Sequence, residues 1–188
     1  MKVNLGCGRH ILPGWVNVDA FPAPGVDRVV DLDNPPDGWE PNSVDEFLMS
    51  HVLEHLREPL RALEWCWRVA KPGAVLTAHV PYGSSDDADA DPTHVRRMFV
   101  GSWLYFAQPA YWRADYGYRG DWQCRRLLLR VDGKRFPAEA TELQVRTAIS
   151  TVRNVVLEMR AELVAVKPIR EPNRSLQEAF LTDIEVVP

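Results

Sequence analysis

The sequence predicts an α/β protein built on a mostly parallel sheet, and three observations carry that prediction. Short apolar runs bounded by turn residues recur through the first half of the chain, each ending near a glycine or an acidic residue. A helical pattern separates two of these runs and is stopped by Lys71-Pro72-Gly73. Strands that alternate with helical or loop crossovers pair in parallel, and both faces of such a sheet are expected to be covered.

In chain order, Val3-Asn4-Leu5, Val16-Asn17-Val18 and residues 28–32 read as short buried strands, and residues 43–49 as a fourth. After Pro59, the apolar residues Leu60, Leu63, Trp67 and Val69 fall at helical spacing. A fifth strand over residues 74–80 ends at Pro81. The stretch 82–122 is long and aromatic, with Trp103, Tyr105, Phe106, Tyr111, Trp112, Tyr116, Tyr118 and Trp122, and is expected to form a lid or substrate-binding insertion. Beyond it, residues 125–131 read as a strand, 137–150 as a helix, and 163–166 and 184–187 as closing strands.

A chain of 188 residues, 46% hydrophobic and 26% charged, can bury a core as one domain over 1–188 without metal or disulfide staples. Collagen-like and disordered classes are excluded. Cys7, Cys66 and Cys124 are odd in number and far apart, which favours reduced thiols over a disulfide framework. No run of 18 apolar residues occurs, and Gly6 interrupts the N-terminus before a signal core could form, so a cytoplasmic location with no membrane partner is expected. The net charge of −4 hides an asymmetry: residues 19–91 hold fifteen acidic and five basic residues, residues 92–135 nine basic and three acidic. The low overall pI argues against a nucleic-acid partner, while the basic stretch fits a small anionic one. The run Asp86 to Asp91 lacks the glycine and terminal glutamate of a calcium loop and reads as a solvated turn.

The chemistry-bearing residues begin with Asn4-Leu5-Gly6-Cys7-Gly8, directly after the first strand. Glycines there permit positive φ and a close ligand approach to the backbone. Asp19, ending the second strand, is placed to accept the two hydroxyls of a ribose. Together they suggest a nucleoside ligand. With Ser50-His51-Val52-Leu53-Glu54-His55 and Lys71-Pro72-Gly73 in the same order and spacing, the stretch from Lys2 to Tyr82 resembles class I S-adenosylmethionine-dependent methyltransferases, notably the small bacterial members. The resemblance implies a doubly wound, Rossmann-like sheet of order 3-2-1-4-5-7-6 with strand 7 antiparallel, and S-adenosylmethionine as cofactor across the carboxyl ends of strands 1 and 2. Carried over by motif, Asn4, Gly6, Cys7 and Gly8 would line the methionine part, Asp19 the ribose, Asp31 and Leu32 the adenine, and Ser50 and His51 the methyl-bearing sulfur.

Two departures stand out. His10 replaces the third glycine, and the ten residues between Gly8 and Asp19 include Pro13 and Gly14, so the customary first helix cannot fit. Arg9 could then substitute for the missing helix N-terminus as the partner of the cofactor carboxylate.

The implied activity is methyl transfer to a small-molecule acceptor through oxygen or nitrogen. His51, His55 and His94 are the candidate general bases, and His94, Arg96, Trp103 and Tyr105 the candidate acceptor contacts. His79, inside the fifth strand, reads as a core residue. Two alternatives accompany this reading. One is a non-catalytic cofactor-binding domain serving a partner protein. The other is a zinc hydrolase, because His51 to His55 spells H-x-x-E-H; its context after a buried strand speaks against a metal centre of that kind.

Overall fold

The structure is a computed structural model that describes residues 1–177 and 182–188. Eight strands form one sheet: β1 (Lys2–Leu5), β2 (Val16–Asp19), β3 (Arg28–Val29), β4 (Val44–Ser50), β5 (Ala70–Pro81), β6 (Trp122–Asp132), β7 (Val156–Ala165) and β8 (Thr182–Val187). Their order is β3-β2-β1-β4-β5-β7-β6-β8. The expected seven-strand order is present, with β7 antiparallel to both neighbours and β8 added in parallel outside β6.

The element between β4 and β5 follows the sequence closely. Helix α1 (Pro59–Val69) starts with proline in its first turn, where no intrahelical N–H is needed, and Ala70 leaves it in extended conformation. Its apolar stripe, Ala62, Leu63, Cys66 and Val69, is buried on the sheet. Among the described residues the other α-helices are the single turn α2 (Asp87–Ala90) and α3 (Glu142–Thr151), which a Thr141–Gln144 capping box begins. The expected helix over 137–150 is thus shorter at its start, and the expected solvated turn at 86–91 is a helical turn whose Ala88 is buried.

Side chains alternate across the strands, and the register places Val3, Leu5, Phe47, Met49, Leu76 and Ala78 on the face that α1 covers. The stretch 100–112 joins this face as two 3-10 segments, Val100–Phe106 and Gln108–Trp112. Trp122 is fully buried there, edge-on to Phe47, and its indole N–H donates to the Leu63 carbonyl of α1. Most of the aromatic stretch is therefore core. Gln108 donates its amide to Tyr118 O and Gly120 O, and Asp121 accepts from Gln108 N and from the Arg170 guanidinium, which ties the segment shut.

The opposite face departs from expectation. No helix joins β1 to β2 or β2 to β3, and on that face of β4, β5 and β7 Pro81 alone is buried, the other side chains being partly or fully exposed. The crossover loop is instead held by a buried amide pair. Asn4 Nδ2 donates to Asn17 Oδ1 and to His10 O, while Asn17 takes Leu12 N–H and donates to the Leu12 and Trp15 carbonyls. These bonds supply the partners a helix would have provided internally.

Candidate active site

The site lies where β1, β2 and β4 end. Gly6 and Gly8 both have positive φ, 63° and 50°, so the chain bends back on itself after β1. A Cβ on Gly6 would clash with Val52 Cγ2, and the left-handed φ adds to this, so glycine is strongly favoured where the bend meets the segment after β4. At Gly8 nothing lies within 4 Å of a built Cβ, so that side of the bend is open. Gly8 N–H donates to Asp19 Oδ2 at 2.8 Å, and Phe21 N–H donates to Oδ1 at 3.1 Å. The carboxylate is thereby held at the mouth of the bend. Arg9 is exposed on the same loop.

Asn4 lies deeper. Its bonds to Asn17 and His10 occupy its amide inside the protein, so it shapes the loop rather than facing the cleft. Cys7 is buried, and burial together with the Asp19 charge pushes its thiol pKa up, which keeps it neutral. Leu32 is buried beside exposed Asp31, whose oxygens take Asp33 N–H and the Asn34 amide. Both lie just beyond β3, which is only two residues long.

Ser50 ends β4, half-buried, and His51 turns the chain out of the sheet at φ 55° into the 3-10 turn Leu53–His55. His51 Nε2 meets Glu158 Oε2 and Nδ1 faces Glu54 Oε1, each at 3.2 Å. The bond to Glu158 and the contact with Glu54 raise its pKa to about 10. Two carboxylates face its two ring nitrogens and favour the protonated imidazolium, which speaks against His51 as the general base. Glu158, on β7, had no sequence signal beyond being a polar residue in an alternating strand.

His55 and His94 come together edge to face with centroids 4.7 Å apart. Thr93 Oγ1 contacts His55 Nδ1 at 2.9 Å, and His94 Nδ1 lies 3.3 Å from Ala88 O. Arg96 donates to Leu56 O and Arg57 O, fastening the 93–98 segment against the 3-10 turn instead of reaching outward. Trp103 is 0% exposed and edge-on to Phe106, so it offers no ring face to an acceptor, and its place in the core overturns that expectation. Tyr105 is 54% exposed and lines a groove of about 510 Å³ with Pro59, Leu60 and Phe99.

The basic stretch is largely neutralised. Arg97 pairs with Asp89, Arg119 with Asp115, Arg125 with Glu162, Arg126 with Asp183, and Arg130 with Glu158 and Glu185. His79 is half-buried, with a pKa lowered first by burial. The groups that are present fit a nucleoside-sulfonium cofactor: a fixed carboxylate for the diol, a backbone bend open at Gly8, and a buried leucine edge.

Residues 19–78 match the family model described as a methyltransferase domain. No curated protein matches the sequence. Among solved structures, a SAM-dependent methyltransferase from Archaeoglobus fulgidus superposes with a TM-score of 0.62 at 14% identity, over 87% of this chain and 85% of that one. A SAM-dependent methyltransferase from Thermotoga maritima gives 0.54 at 16% identity, over 88% and 81%. A chain of the complex between the Haloferax volcanii Trm112 methyltransferase activator and a methyltransferase gives 0.54 at 15% identity, over 90% and 83%. The fold is that of the solved SAM-dependent methyltransferases, and the methyltransferase-domain model covers residues 19–78, about a third of the chain; both are in keeping with S-adenosylmethionine as the cofactor. No helix among the described residues is long and apolar enough to cross a membrane.

Proposed function

We propose that this chain transfers the methyl group of S-adenosylmethionine to a small-molecule acceptor through oxygen or nitrogen. The observation that carries the reading is the Gly6–Gly8 bend closing on Asp19, with the Gly8 N–H on the carboxylate at 2.8 Å and the Gly8 side of the bend open. When bound, the cofactor supplies an electrophilic methyl group on a sulfonium sulfur.

Asp19 binds the ribose: a carboxylate has about four lone-pair sites, and Gly8 and Phe21 use one each. Gly6, Cys7 and Gly8 line the methionine part, with Arg9 as partner for its carboxylate, and Asp31 and Leu32 flank the adenine. Ser50 and His51 stand at the end of β4 beside the methyl donor. His55 and His94, the candidate general bases, each hold Nδ1 against an oxygen and leave Nε2 uncommitted. Residues 87–99 and Tyr105 form the acceptor side of the site, a smaller cover than the whole aromatic stretch. The free thiols Cys7, Cys66 and Cys124 fit the cytoplasmic location expected from the sequence.

Thermal melts with S-adenosylmethionine and with its demethylated product test the reading. At about a hundredfold excess over Kd, the parent gains about 2.7 kcal/mol, a rise of several degrees, and Asp19→Ala gains far less. A melting point that stays put at millimolar cofactor would sink it. Cofactor binding without turnover on any acceptor, together with a stable protein complex, would shift the reading to a binding domain that serves a partner.

A further inference from the structure

We infer that Glu54, His55 and His94 form a binding site for one divalent first-row transition-metal ion. One ligand atom from each residue lies within 4.8 Å of the other two. Glu54 is 1% exposed, and neither carboxylate oxygen has a hydrogen-bond partner among the described residues. The His51 imidazolium is ion-paired with Glu54 Oε1 at 3.2 Å without hydrogen-bond geometry, so that oxygen's charge is partly met, while Oε2 has no partner among the described residues. Buried carboxylates without hydrogen bonds are costly, and a bound cation is one of the few groups that compensates them.

The surrounding bonds set both imidazoles for metal binding. Thr93 Oγ1 donates its single proton to Asp91 Oδ1 at 2.7 Å, so towards His55 Nδ1 it can only accept. His55 therefore carries its proton on Nδ1 and a lone pair on Nε2. His94 Nδ1 faces the Ala88 carbonyl, which also only accepts, and its Nε2 keeps the lone pair. Asp91 Oδ2 stands 3.9 Å from that nitrogen, beyond hydrogen-bond reach. Metal-ligating histidines are held in this way, with the distal N–H given to a carbonyl or hydroxyl oxygen.

Two imidazole nitrogens and one carboxylate oxygen suit zinc, manganese, iron or cobalt, and leave coordination positions open. Ligand atoms about 2.1 Å from a metal stand roughly 3.4 Å apart, so loading draws the three together by about an ångström. The trio is not the inverted zinc-protease motif. His51 is turned to Glu158 and Glu54, and the second histidine comes from beyond α2.

The consequence for the acceptor rests on the methyl-transfer reading, whereas the metal site does not. An acceptor hydroxyl on the metal gives its proton to solvent. Its oxygen then attacks the methyl carbon, and the pair of electrons of the broken carbon–sulfur bond stays on sulfur. The class selected is a vicinal diol, catechol-like or α-hydroxy-carboxylate acceptor that chelates through oxygen.

Chelator-treated full-length chain, dialysed against Zn2+, Co2+ or Mg2+, tests the site. We expect one Zn2+ or Co2+ per chain, a visible Co2+ spectrum of a nitrogen-ligated, low-coordinate ion, and no retained Mg2+. His94→Ala should weaken Co2+ binding by more than about 100-fold. Thr93→Val, at an exposed position, should weaken it about 10–100-fold by releasing His55 Nδ1. Substoichiometric metal in the parent, or parental affinity in Thr93→Val and His94→Ala alike, overturns the inference. Should His94→Ala fail to fold, Thr93→Val and the parent Co2+ spectrum decide. Cofactor titrations alongside separate the two readings: cofactor binding without metal ends the metal site alone, and metal binding without cofactor upholds the site while ending the methyl-transfer reading.

Discussion

The two faces of the sheet are built on different physics. On the α1 face, Phe47, Met49, Leu76, Ala78, Met159 and Leu163 are fully buried beneath α1 and the aromatic 100–122 stretch. On the other, Lys2 pairs with Glu46, Arg130 and Arg160 with Glu158, and Arg126 with Asp183, while the crossover loop is held by the Asn4–Asn17 pair. The first face is a dry interior where packing dominates. The second replaces the helices of the first two crossovers with hydrogen bonds and ion pairs near water, where each contact contributes little. The candidate site needs the loop and the carboxyl ends of the strands held in place, and this chain holds them with one packed layer and one polar one.

The largest expected effect comes from the dry face. Trp122→Ala removes a buried indole and its bond to Leu63, and urea unfolding should show a loss of about 3–5 kcal/mol. A loss under about 1 kcal/mol would mean the aromatic stretch is a detachable cover after all. Next, Asn17→Ala strands Leu12 N–H and the Asn4 amide, costing about 1–3 kcal/mol and weakening cofactor affinity in the same preparation. Unchanged affinity would separate the loop's anchor from its function.

Glu158 sharpens the comparison through pH. Burial alone would raise its pKa, but the hydrogen bonds from His51 and Arg160 hold it down to about 2. Its stabilisation is therefore complete above the ordinary carboxylate range, near pH 4.5, and is lost as pH falls towards 2. After allowance for solvent screening it is worth roughly 1 kcal/mol. Acid unfolding followed by circular dichroism should show that loss in the parent and not in Glu158→Gln. The smallest effect belongs to Arg126→Ala: its side chain is 61% exposed in its pair with Asp183, and the urea midpoint should not move measurably.

Legibility in the sequence tracked how local the determining physics was. The strand–helix–strand unit from β4 to β5 was readable because proline, an amphipathic stripe and Lys71-Pro72-Gly73 act within a few residues. The short first crossover was readable from Pro13 and Gly14. How much of the aromatic stretch is buried was not legible, because aromatic residues look the same in a core and in a binding cover until burial is known: Trp103, Phe106, Tyr111, Tyr118 and Trp122 are buried, Tyr105 and Tyr116 exposed. The basic stretch could not show its pairings in the sequence, because Arg125, Arg126 and Arg130 meet acids far along the chain while Arg97 and Arg119 meet local ones. Within the site, Gly6, Gly8 and Asp19 were legible from spacing. Glu158 was not, because it reaches His51 across a contact 107 residues long in sequence.

The sequence by itself determined the order of strands and turns, the bend after β1 and the absence of a helix before β2, since glycine, proline and apolar periodicity impose these over short range. Only the tertiary structure decided which of the histidines keep a lone pair, which face of the sheet stays polar, and which aromatic residues are core. Those outcomes depend on partners brought together from distant parts of the chain, and a side chain's protonation and burial are properties of that company rather than of its own identity.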